Sequence, residues 1–214
     1  MTTNVAAVVM AAGLGTRMHS DTPKHLHPVL GRRMVDWVVE SARAVEADPV
    51  VVVVAPDRAD AFEGLTVAVQ QEPQGTGDAV AAAREALADF SGDVLVLSGD
   101  TPLLTEDVLR GLIDAHRTEG AQVTVLSFEP TDDFPYGRLV RAADGSLERI
   151  VEERDATPEQ LAIAELNSSI YVFASDALWA AIEKLDTSNA QGELQLTDTI
   201  RHIIAAGGRA SGTR

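Results

Sequence analysis

Cysteine is absent from the 214-residue chain, which excludes disulfide frameworks and thiolate-ligated zinc sites. No apolar run reaches the roughly 20 residues that a membrane-spanning helix needs. The N-terminal residues lack the basic region and the long apolar region of a secretory signal. From these absences we expect a soluble cytoplasmic protein that neither crosses nor inserts into a membrane.

Positive charge is also scarce, since 17 basic residues face 33 acidic ones and the formal net charge is -16. Such a balance argues against general binding of nucleic acid or of anionic membranes. The N-terminal 33 residues differ, because they hold Arg17, Lys24, Arg32 and Arg33 against one acid, Asp21. A polyanionic ligand would therefore need this local basic segment, unless the asymmetry is only chance variation of surface charge.

Lysine is the rarest of the common charged residues here, since only Lys24 and Lys184 occur. An ammonium is a compact, mobile point charge that an arginine does not replace. Lys184 lies in a helix-like segment and is expected to face solvent. Lys24 follows a glycine-rich turn, so it is the lysine that we connect with chemistry.

The most informative stretch is Val8 to Lys24, VVMAAGLGTRMHSDTPK. A strand that ends in such a turn exposes backbone N–H groups that can hold phosphate oxygens, and Arg17 and Lys24 add charge there. The stretch lacks the third glycine of a dinucleotide fingerprint, where Met18 stands, and the GK[ST] of a P-loop. It predicts a phosphate-binding turn of another type, with an ordinary strand–helix turn as the alternative.

Apolar β-branched runs alternate with helical patterns along the chain, which predicts an α/β fold with a doubly wound, mostly parallel, Rossmann-like sheet. The predicted strands are Val5–Met10, Val50–Val54, Thr66–Gln70, Val94–Leu97, Gln122–Phe128 and Ser169–Phe173. The predicted helices are Met34–Ala47, Gly77–Ala88, Thr105–Thr118, Asp176–Leu185 and Thr197–Ala206. We find no internal repeat or long linker, so we expect residues 1–214 to form one domain.

One section breaks this alternation. Two alternating runs flank Asp144-Gly145 within Arg138–Glu153, and Asp-Gly between such runs is a strong hairpin signal. We therefore predict an antiparallel hairpin inserted into the sheet.

Ligands of open α/β sheets bind beyond the carboxyl ends of the strands, and several polar segments follow predicted strands. Asp100 ends one strand and suits magnesium, which takes one or two carboxylates plus phosphate oxygens and water; a turn or cap aspartate is an equal alternative. Gln70 with Gly75-Thr76 can read a base edge, although this signal alone is weak. Glu152 and Asn167 taken singly indicate only polar residues at strand ends.

The three histidines near Lys24 form no recognisable metal-binding pattern, and we expect them at the surface or in hydrogen bonds. They are His19, His25 and His27.

Taken in order, the motifs resemble the sugar-1-phosphate nucleotidyltransferase superfamily. The chain is most similar to the uridyltransferase domains of bifunctional N-acetylglucosamine-1-phosphate uridyltransferase/glucosamine-1-phosphate acetyltransferases. The resemblance covers nearly the whole chain and rests on MAAGLGTRM with DTPKHLHP, QQEPQGTGDAV, SGDTPLL, YGRLVR, IVEERDAT, ELNSSIYVF and NAQGELQLTD. It implies a nucleotide-diphospho-sugar transferase fold.

The resemblance also implies roles for individual residues. The catalytic positions are Arg17 near the triphosphate, Lys24 at the reacting phosphate and Asp100 as a ligand of magnesium. The positions that bind the nucleotide are Met10, Ala11, Ala12, Gly13, Gln70, Gly75, Thr76, Ser98 and Gly99. Those that bind the amino sugar are Gly137, Glu152 and Asn167.

The chain departs from the family pattern at several positions. Ser98 stands where tyrosine is frequent, Ser168-Ser169 replace threonine-glycine, and Leu194-Gln195 replace aromatic residues. The family's second protein ligand to magnesium, an asparagine, and its left-handed β-helix acetyltransferase domain both follow the part that matches this chain. From the 214 residues alone we therefore expect either a fragment or a single-function relative, monomeric or weakly oligomeric.

The function that the resemblance implies is magnesium-dependent transfer of uridylyl from UTP to N-acetylglucosamine 1-phosphate, which gives UDP-N-acetylglucosamine for cell-wall peptidoglycan synthesis. Two alternatives stay open. One is another sugar-1-phosphate nucleotidyltransferase, acting on glucose 1-phosphate or with CTP or GTP. The other is a non-catalytic module that binds nucleotide sugars.

Overall fold

The computed structural model describes residues 4–13, 15, 18–20, 22–132 and 134–214. Within them, a nine-stranded sheet carries helices on both faces, and a two-stranded ribbon stands apart. The strands are β1 (Val5–Met10), β2 (Pro28–Val29), β3 (Arg32–Arg33), β4 (Val50–Val54), β5 (Thr66–Val69), β6 (Asp93–Ser98), β7 (Val123–Phe128), β8 (Arg138–Arg141), β9 (Leu147–Val151), β10 (Leu166–Ala174) and β11 (Ala210–Thr213). The α-helices are α1 (Met34–Ala44), α2 (Thr76–Ala82), α3 (Glu106–Glu119), α4 (Pro158–Leu161), α5 (Ser175–Ile182) and α6 (Asp198–Ala205).

The main path of the sheet runs in the order β11-β7-β10-β6-β1-β4-β5. Strand β1 pairs in parallel with β4 on one side and with β6 on the other. The chain builds outward from β1 to β4 and β5, and then returns to place β6 on the opposite side of β1. The order of strands therefore reverses between β1 and β6, and such a reversal opens a crevice at the carboxyl ends of the two strands.

The sheet is mixed rather than wholly parallel. Strand β10 runs antiparallel to both β6 and β7, and the hairpin of β8 and β9 joins β10 through the pair Leu166 and Arg138. The predicted α/β fold and its antiparallel insertion around Asp144-Gly145 are thus confirmed.

Two apolar layers cover the faces of the sheet. One layer packs residues of α2, α5 and α6 against one face, and the other packs residues of α1 and α3 against the opposite face. The side chains at positions 51–54 of β4 are fully buried, as expected for a continuous apolar strand covered on both sides. Full burial of one such valine contributes about 1.5–3 kcal/mol relative to exposure.

Helix boundaries depend on local caps. Helix α3 begins after Thr105, whose hydroxyl accepts a hydrogen bond from Val108 N at 3.4 Å, and ends at Gly120 in a left-handed conformation. Helix α1 ends at Ala44, three residues before the predicted end, because the chain turns through a positive φ of 61° at Glu46.

Strand β10 begins at Leu166, three residues before its predicted start at Ser169, and the other differences concern short elements. The predicted helix Gly77–Ala88 is split into α2 and a 3₁₀ turn at Glu85–Leu87. Strands β2 and β3 of the ribbon, helix α4 and strand β11 were not predicted, because each is too short to give a periodic pattern. No helix in the described part of the chain is long and apolar enough to cross a membrane.

Candidate functional site

The crevice between β1 and β6 brings the glycine-rich turn against the Ser-Gly-Asp segment. Met10 lies opposite Ser98 at the ends of the two strands, and the Gly99 N–H donates to the Met10 carbonyl at 2.9 Å. A Cβ at Gly99 would stand 2.9 Å from that carbonyl oxygen, so only glycine allows this close approach. The Ala11 N–H donates to Val53 O at 2.8 Å, which anchors the chain as it enters the turn.

Lys24 lies against the same turn. Gly15 has a φ of 62°, and a Cβ there would lie 2.8 Å from Lys24 Cβ. Gly15 therefore supplies both the left-handed conformation and the space for the lysine stem. Arg17 lies outside the described residues, so its expected place near the triphosphate stays a prediction.

The centre of the crevice is an ion pair. Lys24 Nζ lies 2.5 Å from Asp100 Oδ2, and both side chains are about one-third exposed. The Ser98 hydroxyl donates to the other carboxylate oxygen, Oδ1. Burial raises the pKa of Asp100, but the hydrogen bonds from Lys24 and Ser98 and the lysine charge together lower it below its ordinary value. Asp100 is therefore ionised at neutral pH and ready to hold a cation.

The donor set of the crevice fits a hard divalent cation held jointly with phosphate. No group of three or more histidine, cysteine, aspartate or glutamate side chains in the described ranges could hold a metal alone. Magnesium needs only one or two carboxylates when phosphate oxygens and water complete its shell. Asp100, ionised and partly exposed, supplies one such carboxylate.

Gln70 is held at the end of β5 by the loop that follows it. Its side chain is 6% exposed, and Nε2 donates to Gly75 O at 3.1 Å and to Asp78 Oδ2 at 2.7 Å. Both amide hydrogens are thus used, and the amide oxygen is left to accept a hydrogen bond from a ligand. The role of Gln70 in reading a base edge stays a prediction.

The Gly75-Thr76 loop packs tightly on a distant segment. Gly75 has a φ of 130°, and a Cβ there would lie 2.5 Å from Leu194 O. The Leu194 N–H donates to Gln74 O at 2.7 Å, and its carbonyl accepts from the Gly77 N–H at 2.7 Å. Thr76 Oγ1 accepts from the Leu196 N–H at 3.0 Å. Any side chain at position 75 would displace this contact.

Residues 194–197, here called the bridging segment, also reach the predicted sugar positions. The Thr197 hydroxyl donates to Glu152 Oε1 at 3.1 Å. Burial raises the pKa of Glu152 above its ordinary value, although the Thr197 hydrogen bond opposes that shift. The bridging segment thus links the Gly75-Thr76 loop to the half-buried Glu152 carboxylate. Sequence reasoning used NAQGELQLTD only as part of the resemblance and assigned no role to Thr197 or Leu194.

The three predicted sugar positions lie together on the antiparallel part of the sheet. The Asn167 N–H donates to Gly137 O at 2.8 Å, and a Cβ at Gly137 would lie 2.8 Å from Ile150 Cγ2 and 3.4 Å from Glu152 Oε2. The bare backbone at Gly137 therefore leaves the Glu152 carboxylate uncovered on that side.

The side chain of Asn167 is largely committed to the fold. It is 3% exposed, its Nδ2 donates to the Tyr171 hydroxyl at 2.8 Å, and its Oδ1 accepts from the Ser169 N–H at 2.9 Å. Only one N–H of the amide is left for a ligand.

His25 differs from the sequence expectation. Its ring is buried rather than at the surface, and neither ring nitrogen has a hydrogen-bond partner among the described residues. Burial and the neighbouring charge of Lys24 lower the pKa of His25 to about 4. The ring is thus neutral at physiological pH and adds no charge beside the Lys24–Asp100 pair.

Two comparisons with known proteins show what the chain is similar to. The family described as MobA-like NTP transferase domain matches residues 7–206. The chain is also similar to proteins that carry the name bifunctional protein GlmU. It is 50% identical over 212 residues to that of Leifsonia xyli subsp. xyli, with 95% of this chain and 44% of the relative covered.

Other relatives show the same extent of similarity. Identity to the bifunctional protein GlmU of Pelobacter propionicus is 47% over 203 residues, covering 92% of this chain and 44% of the relative. For the protein of the same name from Nocardia farcinica, identity is 45% over 228 residues, covering 100% of this chain and 46% of the relative. The chain spans less than half the length of these relatives.

Proposed function

Because the chain belongs to the MobA-like NTP transferase family and is a nucleotidyltransferase, we propose that it transfers uridylyl from UTP to N-acetylglucosamine 1-phosphate. The products are UDP-N-acetylglucosamine, a precursor for cell-wall synthesis, and pyrophosphate. The observation that carries the proposal is the Lys24–Asp100 pair at the crevice between β1 and β6. The similarity to bifunctional GlmU proteins supports the choice of nucleotide and sugar.

The reaction needs positioning and charge stabilisation more than covalent chemistry. A phosphate oxygen of the sugar phosphate attacks the α-phosphorus of UTP, a new P–O bond forms, and the bond to the leaving pyrophosphate breaks. Lys24 Nζ stabilises the charge that builds on the α-phosphate oxygens, and Arg17 with the backbone at Met10–Gly13 holds the nucleotide phosphates and ribose. Preorganised donors of this kind give the largest single contribution to many enzymatic rates.

Asp100 is the residue that would hold magnesium. The ion would neutralise negative charge on the phosphate oxygens to which it is bound. Ser98 keeps the carboxylate oriented through its hydrogen bond, and Gly99 keeps the backbone close to β1. A cysteine-free sequence suits the reducing cytoplasm, where we place the reaction.

The two substrates are assigned to different parts of the sheet edge. The free amide oxygen of Gln70 accepts a hydrogen bond from the ring N–H of uracil, and the Gly75-Thr76 loop brings backbone groups to the base. Gly137, Glu152 and the remaining N–H of Asn167 bind the amino sugar. The bridging segment keeps the two binding regions in a fixed relation.

The experiment that tests the proposal is a grid of UTP, CTP, GTP and ATP against the 1-phosphates of N-acetylglucosamine, glucosamine and glucose. Pyrophosphate release with and without magnesium is the readout. We expect the highest kcat/KM for UTP with N-acetylglucosamine 1-phosphate, and no release without the metal. A clear preference for another pair would overturn the substrate assignment, and UTP binding without release from any pair would favour a non-catalytic module.

A further inference from the structure

One residue of the central sheet has a backbone conformation that side chains rarely adopt. Four described residues other than glycine have a positive φ: His19, Leu30, Glu46 and Ser169. The first three lie outside the strands and helices, whereas Ser169, with a φ of 63°, lies inside strand β10. A left-handed residue within a strand is sterically unfavourable unless its surroundings hold it.

The surroundings of Ser169 form a bulge that satisfies its backbone. Asn167 pairs with Ser127 and Ile170 pairs with Leu126, so that residues 168 and 169 have no partner in the ladder. The Ser168 hydroxyl donates to Leu126 O at 2.6 Å, and Asn167 Oδ1 accepts from the Ser169 N–H at 2.9 Å. Bulges of this kind redirect a side chain.

The Ser169 hydroxyl takes no part in the hydrogen bonds that hold the bulge. It has no hydrogen-bond partner in the part of the chain that the structure describes, and the residue is only half-buried. Glycine would take the same φ without strain, so the bulge itself does not need a hydroxyl.

The bulge lies beside the positions proposed to bind the sugar. Ser169 is hydrogen-bonded through its N–H to Asn167, and Asn167 is in turn hydrogen-bonded to Gly137. Of the three positions proposed for the sugar, Asn167 offers one amide hydrogen, Glu152 its carboxylate and Gly137 only backbone groups, and none of them offers a hydroxyl. A second neutral group that can both donate and accept would complete the recognition.

We propose that Ser169 is a specificity-determining residue whose hydroxyl hydrogen-bonds a ring hydroxyl or the N-acetyl group of the sugar phosphate. The inference rests on the proposed function and adds to it a residue that reads the sugar. The strained backbone at position 169 is maintained because it delivers this hydroxyl to the sugar side of the site.

The test compares Ser169→Ala, which removes only the hydroxyl, with Ser169→Gly, which also removes the strain. For both variants we expect the KM for N-acetylglucosamine 1-phosphate to rise about 3- to 10-fold, as for the loss of one net hydrogen bond. The KM for UTP should stay within about 2-fold of the parent. Ser169→Gly alone should raise Tm, by about 1–3 °C. Glu46→Gly relieves a similar φ of 61° outside the site, and should raise Tm without changing either KM.

Folded Ser169→Ala protein with an unchanged KM for the sugar phosphate would overturn the inference and leave the proposed function intact. A rise of both KM values by the same factor would also overturn it, because such a rise indicates a general disturbance. If the parent enzyme uses no sugar 1-phosphate in the grid, the proposed function and this inference fall together.

Discussion

The sheet has a parallel half, formed by β1, β4, β5 and β6, and an antiparallel half, formed by β7, β8, β9 and β10. The two halves hold different kinds of site. In the parallel half, the crevice between β1 and β6 presents a charged pair, Lys24 and Asp100, that is partly open to solvent. In the antiparallel half, Asn167 has an uncharged amide that is almost fully buried, and burial raises the pKa of Glu152 above its ordinary value. We infer that the parallel half handles phosphate charge and the antiparallel half reads the neutral sugar.

This difference has a physical basis. Exposed charges can meet a polyanion without losing their hydration beforehand, and the hydrogen bond and charge of Lys24 favour the ionised form of Asp100. A sugar has no strong charge, so its recognition depends on buried, oriented hydrogen-bonding groups. Substitutions of Lys24 and Asp100 should therefore change kcat for every substrate, and substitutions of Glu152 and Asn167 should change KM for the sugar phosphate.

Asp100→Asn should give the largest effect. The change removes the only carboxylate assigned to magnesium and keeps the size of the side chain. Because a bound metal contributes several kcal/mol to charge stabilisation, we expect kcat to fall about 10³-fold. Pyrophosphate release measured over a magnesium titration checks this expectation. Activity of the variant near that of the parent at moderate magnesium concentration would contradict the assignment of Asp100 as a magnesium ligand.

Lys24→Ala should follow, with kcat lower by about 10²-fold or more, as for the loss of one preorganised donor. The side chain is about one-third exposed, so Tm should change little. Lys184→Ala is the matched control, because Lys184 is the chain's other lysine and is exposed. A Lys24→Ala enzyme within a few-fold of the control would contradict its assignment.

Gly75→Ala should disturb nucleotide binding by a smaller amount. A Cβ at this position would lie 2.5 Å from Leu194 O, which forces the loop away from the bridging segment. We expect the KM for UTP to rise about 10-fold, with a lower Tm. Gly64→Ala introduces the same kind of φ strain, at 83°, with nothing within 4 Å. If both variants lower Tm equally and neither changes KM, the loop has no role in nucleotide binding.

Glu152→Gln should give the smallest kinetic effect, a rise of several-fold in the KM for the sugar phosphate with kcat little changed. It also has a pH signature. Burial raises the pKa of Glu152 in the native state, so its ionisation costs stability as pH rises through that pKa. The glutamine variant should therefore have a higher Tm than the parent at pH 7.

That stability difference should vanish below about pH 4, where a glutamate is protonated in both the folded and the unfolded chain. Thermal unfolding of both proteins between pH 3 and pH 8 measures it. A difference in Tm that does not depend on pH would show that Glu152 is not buried as an ionisable group.

The sequence was sufficient to predict the parallel half. Runs such as Val50–Val54 are apolar throughout because both faces of the strand are covered, and their carboxyl ends define where ligands bind. Lys24 was distinguished by the scarcity of lysine, and Asp100 was expected at the same edge of the sheet. The ion pair between the two side chains was not predicted. The hairpin around Asp144-Gly145 could also be predicted, because an Asp-Gly turn between two alternating runs is a local signal in the sequence.

The contacts of the bridging segment could not be predicted from sequence, because they join residues that are far apart along the chain. Thr197 reaches Glu152 across 45 positions, and Leu196 reaches Thr76 across 120. No local pattern encodes such pairs. The left-handed Ser169 was equally hidden, because serine carries no signal for a positive φ.

The most direct test of the central claim, that Lys24 and Asp100 act together on one phosphate centre, is the kcat of the double variant Lys24→Ala/Asp100→Asn beside the two single variants. Residues that serve the same charge are strongly non-additive. We therefore predict that the kcat of the double variant for pyrophosphate release lies within a few-fold of the kcat of Asp100→Asn alone. A loss equal to the product of the two single losses, about 10⁵-fold, would show that the two residues act independently and would contradict the account.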